Sequence, residues 1–514
     1  MGSNRETAGR ALLLGVLLVS ASTGVVVAQE RLSGSRYLRA VSVDLLGRAP
    51  TIEEYAQVDD GGDLPDALLE QWLSSEAFAQ RVSRFHRQFR WNNTRNITLQ
   101  DYDRGMSEVD GIWKSASRDQ AYRGVHLPHI ATCGDFEAVL DDQGRPVPPP
   151  DTGQGYVQEG WVWVRPYWDP DIPIKVCAFD AMEQTHSRGG LDCRSKIAKE
   201  DPDCGCGPHL NYCMRHQDED VIGDSFDLQV ERLIEKVVTE DRPYSDILET
   251  QSMMMNGPIV HYYRYKAHSP FNLDLHFPLL DYRQLPDLDF VDRDTWVEVN
   301  LPQAHSGILT SHSFLLRFMS NRARADRFNT SFMCSAFIGP PGGLPAGGDS
   351  ATVPDLTQRD GCKYCHARLE PMAAHWGRWT KNGDSWLDPD TYPAFNDTCL
   401  GSNDPTCADF YVIGGLTAME QEWQGWLKPY QFLKDRYHEN VEIGPKLLVR
   451  RGLASGQIQA CAVDQAVGYF LRRDLGERDE SWRRTVTERF ITSGLSYQML
   501  IEIIVRSERY RRLQ

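Results

Sequence analysis

The sequence predicts a mainly α-helical protein with one loop-rich insertion that contains short strands and is stapled by disulfides. Apolar residues recur at three- and four-residue steps over residues 31–118 and again from residue 221 onwards, as in amphipathic helices. Residues 119–220 break this pattern, because proline, glycine and tryptophan are frequent there. The same stretch holds six cysteines, which we expect to be oxidised: Cys133, Cys177, Cys193, Cys204, Cys206 and Cys213.

The first 28 residues have the features of a secretory signal peptide. Arg5 and Arg10 precede an apolar run, and the small residues Val26 and Ala28 stand before Gln29. We expect cleavage after Ala28. A single membrane anchor is the alternative, and the small and polar residues within the run disfavour it. The mature protein is then expected to be periplasmic or secreted, with no membrane span.

Charge and length limit the classes of function. A formal net charge of −17 argues against a nucleic-acid partner, because contacts to phosphates need a basic surface. The 514 residues are enough for two or three domains, each with its own core. The changes of pattern divide the chain into a signal peptide (1–28), an N-terminal helical domain (29–118), the insertion (119–220), a helical continuation (221–300), a module around a Cys-x-x-Cys-His motif (301–400) and a C-terminal helical domain (401–514).

The N-terminal helical domain contains a sequence signal for the start of a helix. Thr51 follows Pro50, and Glu54 stands three residues later. This is the spacing of a capping box, in which the threonine and glutamate side chains each bind a backbone N–H of the other residue. We therefore predict that a helix begins after Thr51.

The number of cysteines predicts several disulfides. The chain has twelve, which is too few for a small disulfide scaffold but fits an oxidising compartment. If Cys362 and Cys365 are set aside, ten remain, and an even number can pair completely. The sequence therefore predicts up to five bridges, with a connectivity that spacing does not determine.

The segment "RDGCKYCHARLEPMAAHW" places Cys362, Cys365 and His366 within five positions. Asp360 is a candidate N-cap for a helix that Pro371 would terminate. On such a helix, residues three and four positions apart share one face, so both thiols and the imidazole project together. Covalent haem attachment needs this geometry, since two thiols add to the porphyrin vinyl groups while the imidazole binds the iron. We therefore expect one covalent haem c, with His366 as the proximal iron ligand.

Two other interpretations of this motif are weaker. A structural zinc site needs four ligands, and the segment supplies at most three. A disulfide between Cys362 and Cys365 is the second alternative, but a redox-active one would be expected beside a thioredoxin-like βαβ pattern, which the sequence lacks.

The ligand on the opposite side of the iron is left open by the sequence. Met419 has the best spacing, after a loop that could wrap around the haem edge. Buried methionines more often fill a core, and lone histidines more often form hydrogen bonds. Further candidates are Met372 and His375, which follow the motif too closely, together with His312 and the run Met253, Met254 and Met255.

A second cluster of thiols and imidazoles lies in the insertion. It comprises Cys204, Cys206, His209, Cys213 and His216. These side chains could form a metal site, whereas disulfides are the expectation in an exported loop-rich segment. The motif with the two cysteines and adjacent histidine occurs once, which argues against a dihaem peroxidase.

Several segments resemble a known group of proteins. Residues 306–348 and 359–379 are similar to the cytochrome-c-containing module of large exported bacterial proteins from planctomycetes and myxobacteria, catalogued mainly as domains of unknown function (the DUF1549, DUF1588 and DUF1585 group). "RAVSVDLLGRAPTIEEY" and "LIEKVVTEDRPYSDILE" resemble that group's N-terminal helical domain, and residues 459–511 resemble its C-terminal one. The likeness covers about two-thirds of the chain and omits the insertion. It implies helical domains around a c-type haem module, and no established reaction.

These observations together predict a periplasmic monohaem protein that resembles a c-type cytochrome and transfers electrons. Its redox partner protein is not identified by the sequence. One alternative is an extracellular binding or scaffold protein in which the haem is ancillary. Another is a haem enzyme, such as a peroxidase or an oxidase, so whether the protein is an enzyme is left open.

Overall fold

The structure, a computed structural model, describes residues 31–512 with internal gaps. The gaps are residues 59–61, 91–98, 100–104, 116–132, 148–158, 196–197, 199–200, 202, 267–280, 339–352, 381–385, 415 and 474. The predicted signal peptide, residues 1–28, lies outside the described residues. All twelve cysteines lie within them.

The described chain contains both helices and sheets, so the predicted mainly α class is wrong. Helix accounts for 49% and strand for 10%, which makes the fold roughly mixed α/β. A five-stranded mixed sheet and a two-stranded sheet are present. The strands are short, the longest having five residues, so each one offers at best the minimum length over which apolar–polar alternation indicates a strand. Their pairing also joins segments that are distant in the sequence.

Four helices precede the first strand of the described chain: α1 (Gly34–Leu46), α2 (Ile52–Tyr55), α3 (Asp66–Leu73) and α4 (Glu76–Arg90). The capping box predicted at the start of α2 is confirmed. The Glu54 N–H donates to the Thr51 hydroxyl at 3.2 Å, and the Thr51 N–H donates to the Glu54 carboxylate at 2.7 Å. Arg48 also binds the Glu54 carboxylate. This contact, with the hydrogen bonds from the Thr51 backbone and the Trp72 side chain, lowers the pKa of Glu54 to about 2.

The five-stranded sheet has the order β3–β4–β2–β1–β5. Its strands are β1 (Gly105–Val109), β2 (Ile112–Ser115), β3 (Trp161–Val164), β4 (Ile174–Cys177) and β5 (Met214–Arg215). β1 and β2 form a hairpin in which Val109 faces Ile112, while β3 pairs antiparallel with β4. The pairs β2–β4 and β1–β5 are parallel. The strand pair expected in the insertion is thus present, but the hairpin lies within residues 29–118, which the sequence pattern assigned to helices.

The hairpin turn explains why β1 and β2 pair. Its two central residues are Asp110 and Gly111, with φ values of 52° and 80°. A two-residue turn that requires positive φ at both positions favours Asp-Gly, so the turn signal was present in the sequence.

The rest of the described chain is mostly helical. A two-stranded antiparallel sheet joins β6 (Ser252–Met255) to β7 (Val297–Asn300). The helices are α5 (His216–Thr239), α6 (Asp246–Glu249), α7 (Gly257–His261), α8 (His312–Arg317), α9 (Asn321–Phe332), α10 (Lys363–Ala373), α11 (Pro405–Phe410), α12 (Asp435–Ile443), α13 (Pro445–Ala454), α14 (Gln457–Leu471), α15 (Glu480–Thr492), α16 (Tyr497–Val505) and α17 (Glu508–Arg511).

One large apolar core joins the beginning and end of the described chain. It includes side chains from α1, α5, α8, α14 and α16. Tyr37 in α1 is fully buried, and its hydroxyl donates to the carbonyl of Val505 in α16 at 2.9 Å. A smaller core contains Ala374, Tyr411 and Tyr430. No helix among the described residues is long and apolar enough to cross a bilayer.

Ten cysteines are paired in five disulfides, which confirms the number of bridges predicted from the sequence. Three of the bridges lie within the insertion, as expected for that segment. The pairs are Cys133–Cys177, Cys193–Cys204, Cys206–Cys213, Cys334–Cys461 and Cys399–Cys407.

Candidate functional site

The two cysteines of the motif are the ones left outside the five disulfides. Cys362 and Cys365 are both half-buried and unbridged. A disulfide between them, the second alternative considered for this motif, is therefore not present. The site offers two accessible thiols in a chain whose other ten cysteines are oxidised.

Helix α10 begins at Lys363, directly after the first cysteine of the motif. Cys362 occupies the N-cap position with helical dihedral angles, and the N–H of His366 donates to its carbonyl at 3.0 Å. Cys362, Cys365 and His366 therefore follow helical geometry and project from the same side of α10. Asp360 was predicted as the N-cap, which is wrong. Its carboxylate instead accepts a hydrogen bond from Lys363 at 2.8 Å.

The turn before α10 is held by two residues. Asp355 accepts the N–H of Thr357 at 2.8 Å, and the N–H groups of Cys362 and Lys363 both donate to the carbonyl of Arg359. Gly361 has a φ of 80°. Residues with a side chain rarely adopt this conformation, so glycine lets the chain turn sharply into the motif helix.

Helix α10 continues through Pro371, contrary to the prediction that this proline would end it. Proline removes one backbone hydrogen bond, here to the carbonyl of Ala367. The following residues Ala373 to Trp376 are buried, and packing of this kind offsets the loss of one bond. The side chain of Asn440 in α12 also donates to the carbonyl of Pro371 at 2.8 Å. Tertiary contacts therefore override the local signal.

One ring nitrogen of His366 is bonded to a carboxylate. Nδ1 of His366 and Oε1 of Glu370, one helical turn later, form a short hydrogen bond. The same oxygen accepts a hydrogen bond from Nε of Arg322 in α9 at 2.7 Å. Neither Glu370 nor Arg322 was predicted from the sequence as part of the site. The four-residue spacing of His366 and Glu370 could have indicated the first contact, whereas no local pattern could have indicated Arg322.

Helix α9 lies along α10 and is fixed by a buried arginine. Arg324 donates to the carbonyls of Phe318, Leu315 and Thr380 at 2.8, 3.2 and 2.9 Å. Arg368 of α10 in turn contacts Asn329 of α9 at 3.5 Å. These bonds keep the Arg322 end of α9 beside the motif helix.

The candidates for a distal ligand lie in different environments. Met419 is 38% exposed in a turn, where the Thr417 hydroxyl binds the Glu420 carboxylate. Met253, Met254 and Met255 are buried in β6 and pair with β7. Met372 is partly buried against the main core. No described methionine is hydrogen-bonded to His366 or Glu370.

The two candidate histidines are buried. His375 forms a 2.8 Å hydrogen bond from Nδ1 to the carbonyl of Gly444, and burial lowers its pKa to about 4. Nδ1 of His312 forms a 3.0 Å hydrogen bond with the Tyr263 hydroxyl, and the ring stacks on Phe226. Burial lowers the pKa of His312 to about 3. Both rings are therefore neutral parts of the core.

The thiols of the second cluster are bridged, which decides against a metal site there. Cys204 pairs with Cys193, and Cys206 pairs with Cys213. Nδ1 of His209 is bonded to the Arg165 carbonyl at 3.0 Å, and the side chain of His216 is 89% exposed. Within the described chain, metal-ligating side chains converge at Cys133, Glu159 and Cys177, and there too both thiols belong to a disulfide.

The chain matches no protein-family model, no curated protein and no solved structure.

Proposed function

We propose that this protein carries one covalently attached haem c and transfers electrons outside the cytoplasm. Cys362 and Cys365 form the thioether bonds, and His366 binds the iron from the proximal side. The main support for the proposal is that Cys362 and Cys365 are the two cysteines without a disulfide, whereas the other ten in the chain are bridged.

The donor set fits this cofactor. Two thiols and one imidazole lie on the same side of one helix, and all three are partly accessible. The hydrogen bond between Nδ1 of His366 and Glu370 leaves the other ring nitrogen available as a ligand. A histidine that binds a metal usually donates its second N–H in this way. Haem, when bound, supplies an iron centre that exchanges one electron.

The compartment is supported by the oxidation state of the other cysteines. Disulfides persist outside the cytoplasm and are rare within it. Five bridges in one chain are thus compatible with a periplasmic or extracellular protein. The unbridged pair needs a different explanation in such an environment, and attachment to haem provides one.

The intact mass of the exported protein tests attachment. When the protein is made in a host with haem-maturation machinery, we expect one haem mass that survives denaturation, together with the pyridine haemochrome spectrum of haem c. The variant with Cys362→Ala and Cys365→Ala should lose both signals. A matched control with Cys399→Ala and Cys407→Ala removes two cysteines elsewhere and should keep them. An unmodified wild-type mass in that host contradicts the proposal.

Reactivity towards hydrogen peroxide separates electron transfer from catalysis. An electron carrier is expected to have a six-coordinate iron that does not turn over peroxide. We expect no peroxide-dependent oxidation of an added organic reductant, while the haem is still reduced and reoxidised reversibly. Turnover by an open iron site would instead favour a peroxidase.

A further inference from the structure

The imidazole of His366 is part of a three-residue chain of polar contacts. Nδ1 of His366 bonds to Oε1 of Glu370, which lies four residues later on the same face of α10. The His366 and Glu370 side chains are 22% and 21% exposed. Most of the contact is therefore shielded from water, which strengthens the effect of the carboxylate on the ring.

Arg322 supplies the opposite charge to the same oxygen atom. Its Nε donates to Oε1 of Glu370 at 2.7 Å. Ser320 caps the start of α9 by accepting the N–H of Ala323 at 3.2 Å, and the buried Arg324 anchors the first turn. Arg322 is therefore presented by a fixed helix end, although its own side chain is 52% exposed.

We propose that Glu370 positions the His366 imidazole for iron and increases its donor strength, and that Arg322 limits this increase. The inference rests on the proposed function, since it concerns the electronic state of a bound iron. A carboxylate that accepts the Nδ1–H orients the ring and makes the other nitrogen more basic. A more basic ligand favours the oxidised iron and lowers the reduction potential. The Arg322 guanidinium withdraws charge from the carboxylate and opposes that shift.

This arrangement predicts shifts of opposite sign in two variants. Glu370→Gln removes the negative charge, so the reduction potential should rise. Arg322→Gln leaves the carboxylate without its counter-charge, so the potential should fall. We expect each variant to change the oxidation equilibrium about tenfold, in line with the effects of other groups behind metal ligands. For the transfer of one electron, a tenfold change corresponds to a shift in reduction potential of about 59 mV. A role in packing alone would give no such opposition.

Asp360→Asn is the matched control. It also converts a carboxylate to an amide close to the motif, but Asp360 is bonded to Lys363 rather than to the imidazole. Its potential should stay close to that of the wild type. The inference is overturned if Glu370→Gln and Asp360→Asn have the same potential, or if Glu370→Gln and Arg322→Gln shift in the same direction.

A second measurement tests the hydrogen bond in the haem-free chain. Nitrogen-15 NMR of His366 should show the tautomer with the proton on Nδ1 in the wild type. In Glu370→Gln this preference should weaken, while Asp360→Asn should keep it. An identical tautomer ratio in wild type and Glu370→Gln overturns the positioning role. A wild-type chain that takes up no haem overturns the proposed function itself, whereas a haem-loaded wild type with unmoved variants overturns this inference alone.

Discussion

Cys334 is bonded to Cys461, which stands 127 residues later in the chain. Cys334 follows the last turn of α9, the helix that presents Arg322 to Glu370. Cys461 is buried within α14, a helix that contributes other side chains to the main core. The bridge therefore ties the helix beside the motif to a helix that is distant in the sequence.

Removing this bridge should destabilise the protein more than removing a local one. Cross-linking over 127 residues restricts the unfolded chain strongly, so Cys334→Ala with Cys461→Ala should lower the free energy of unfolding by about 5 kcal/mol. The Cys399–Cys407 bridge spans 8 residues and should contribute about 2–3 kcal/mol. Denaturant unfolding followed by circular dichroism compares the two double variants. An equal loss in both would contradict the chain-entropy explanation.

Cysteine pairing could be predicted in number but not in connectivity. Setting aside Cys362 and Cys365 left ten, and those ten are the paired ones. The local bridges, such as Cys206–Cys213, join neighbours in the sequence. The Cys334–Cys461 bridge depends on how α9 packs against α14, and spacing alone does not contain that information.

The sheet was missed for a different reason. Asp110-Gly111 is a strong signal for a hairpin turn, but it lies in residues 31–118, whose apolar periodicity predicted helices. The parallel pairs are harder, because β1 meets β5 through only two facing residue pairs, more than a hundred positions apart. Contacts of this kind arise from the tertiary fold and leave no local pattern.

The Asp110-Gly111 turn gives a test of backbone strain. Gly111 has a φ of 80°, and a Cβ there would meet nothing within 4 Å. Gly111→Ala should therefore lower the free energy of unfolding by about 1–2 kcal/mol through conformation alone. Gly105→Ala is the control, since its Cβ also meets open space and its φ is not positive. Thermal unfolding of both variants decides this, and equal melting temperatures would refute it.

The proximal ligand can be tested by removing its ring. His366→Ala should allow covalent attachment at Cys362 and Cys365 but lose the strong imidazole donor. The absorption spectrum should then shift towards high spin. His216→Ala is the control, because that side chain is 89% exposed. If His366→Ala carries covalent haem with an unchanged low-spin spectrum, another residue is the proximal ligand.

The buried His375 predicts a loss of stability in mild acid. Burial lowers the pKa of His375 from 6.5 to about 4. At a pH between these two pKa values, the imidazole is protonated in the unfolded chain and neutral in the folded chain. The stabilising contribution of the neutral ring is therefore complete above pH 6.5. It falls as the pH decreases, by up to about 1.4 kcal/mol per pH unit.

His375→Asn isolates this contribution. An asparagine amide can still donate towards the Gly444 carbonyl but has no proton to gain in this range. The slope of unfolding free energy against pH, measured by denaturant titration from pH 7 to pH 5, should be shallower than in the wild type. His305 and His312, whose pKa values burial lowers to about 3, should maintain the remaining slope. An unaltered slope in His375→Asn would rule out the assignment.

Met419 is still the predicted distal ligand, and its sulfur can be replaced without a large change in volume. Met419 is 38% exposed in its turn, so Met419→Leu should leave the stability of the haem-free chain within about 0.5 kcal/mol of the wild type. In the haem-loaded protein, loss of an iron–sulfur bond should open the sixth position. The low-spin spectrum should become high-spin, and the reduction potential should fall, because methionine raises it. Met319→Leu is the control, since Met319 is also exposed, at 59%. If the two variants share the wild-type spectrum, Met419 does not bind the iron and the distal ligand lies elsewhere in the chain.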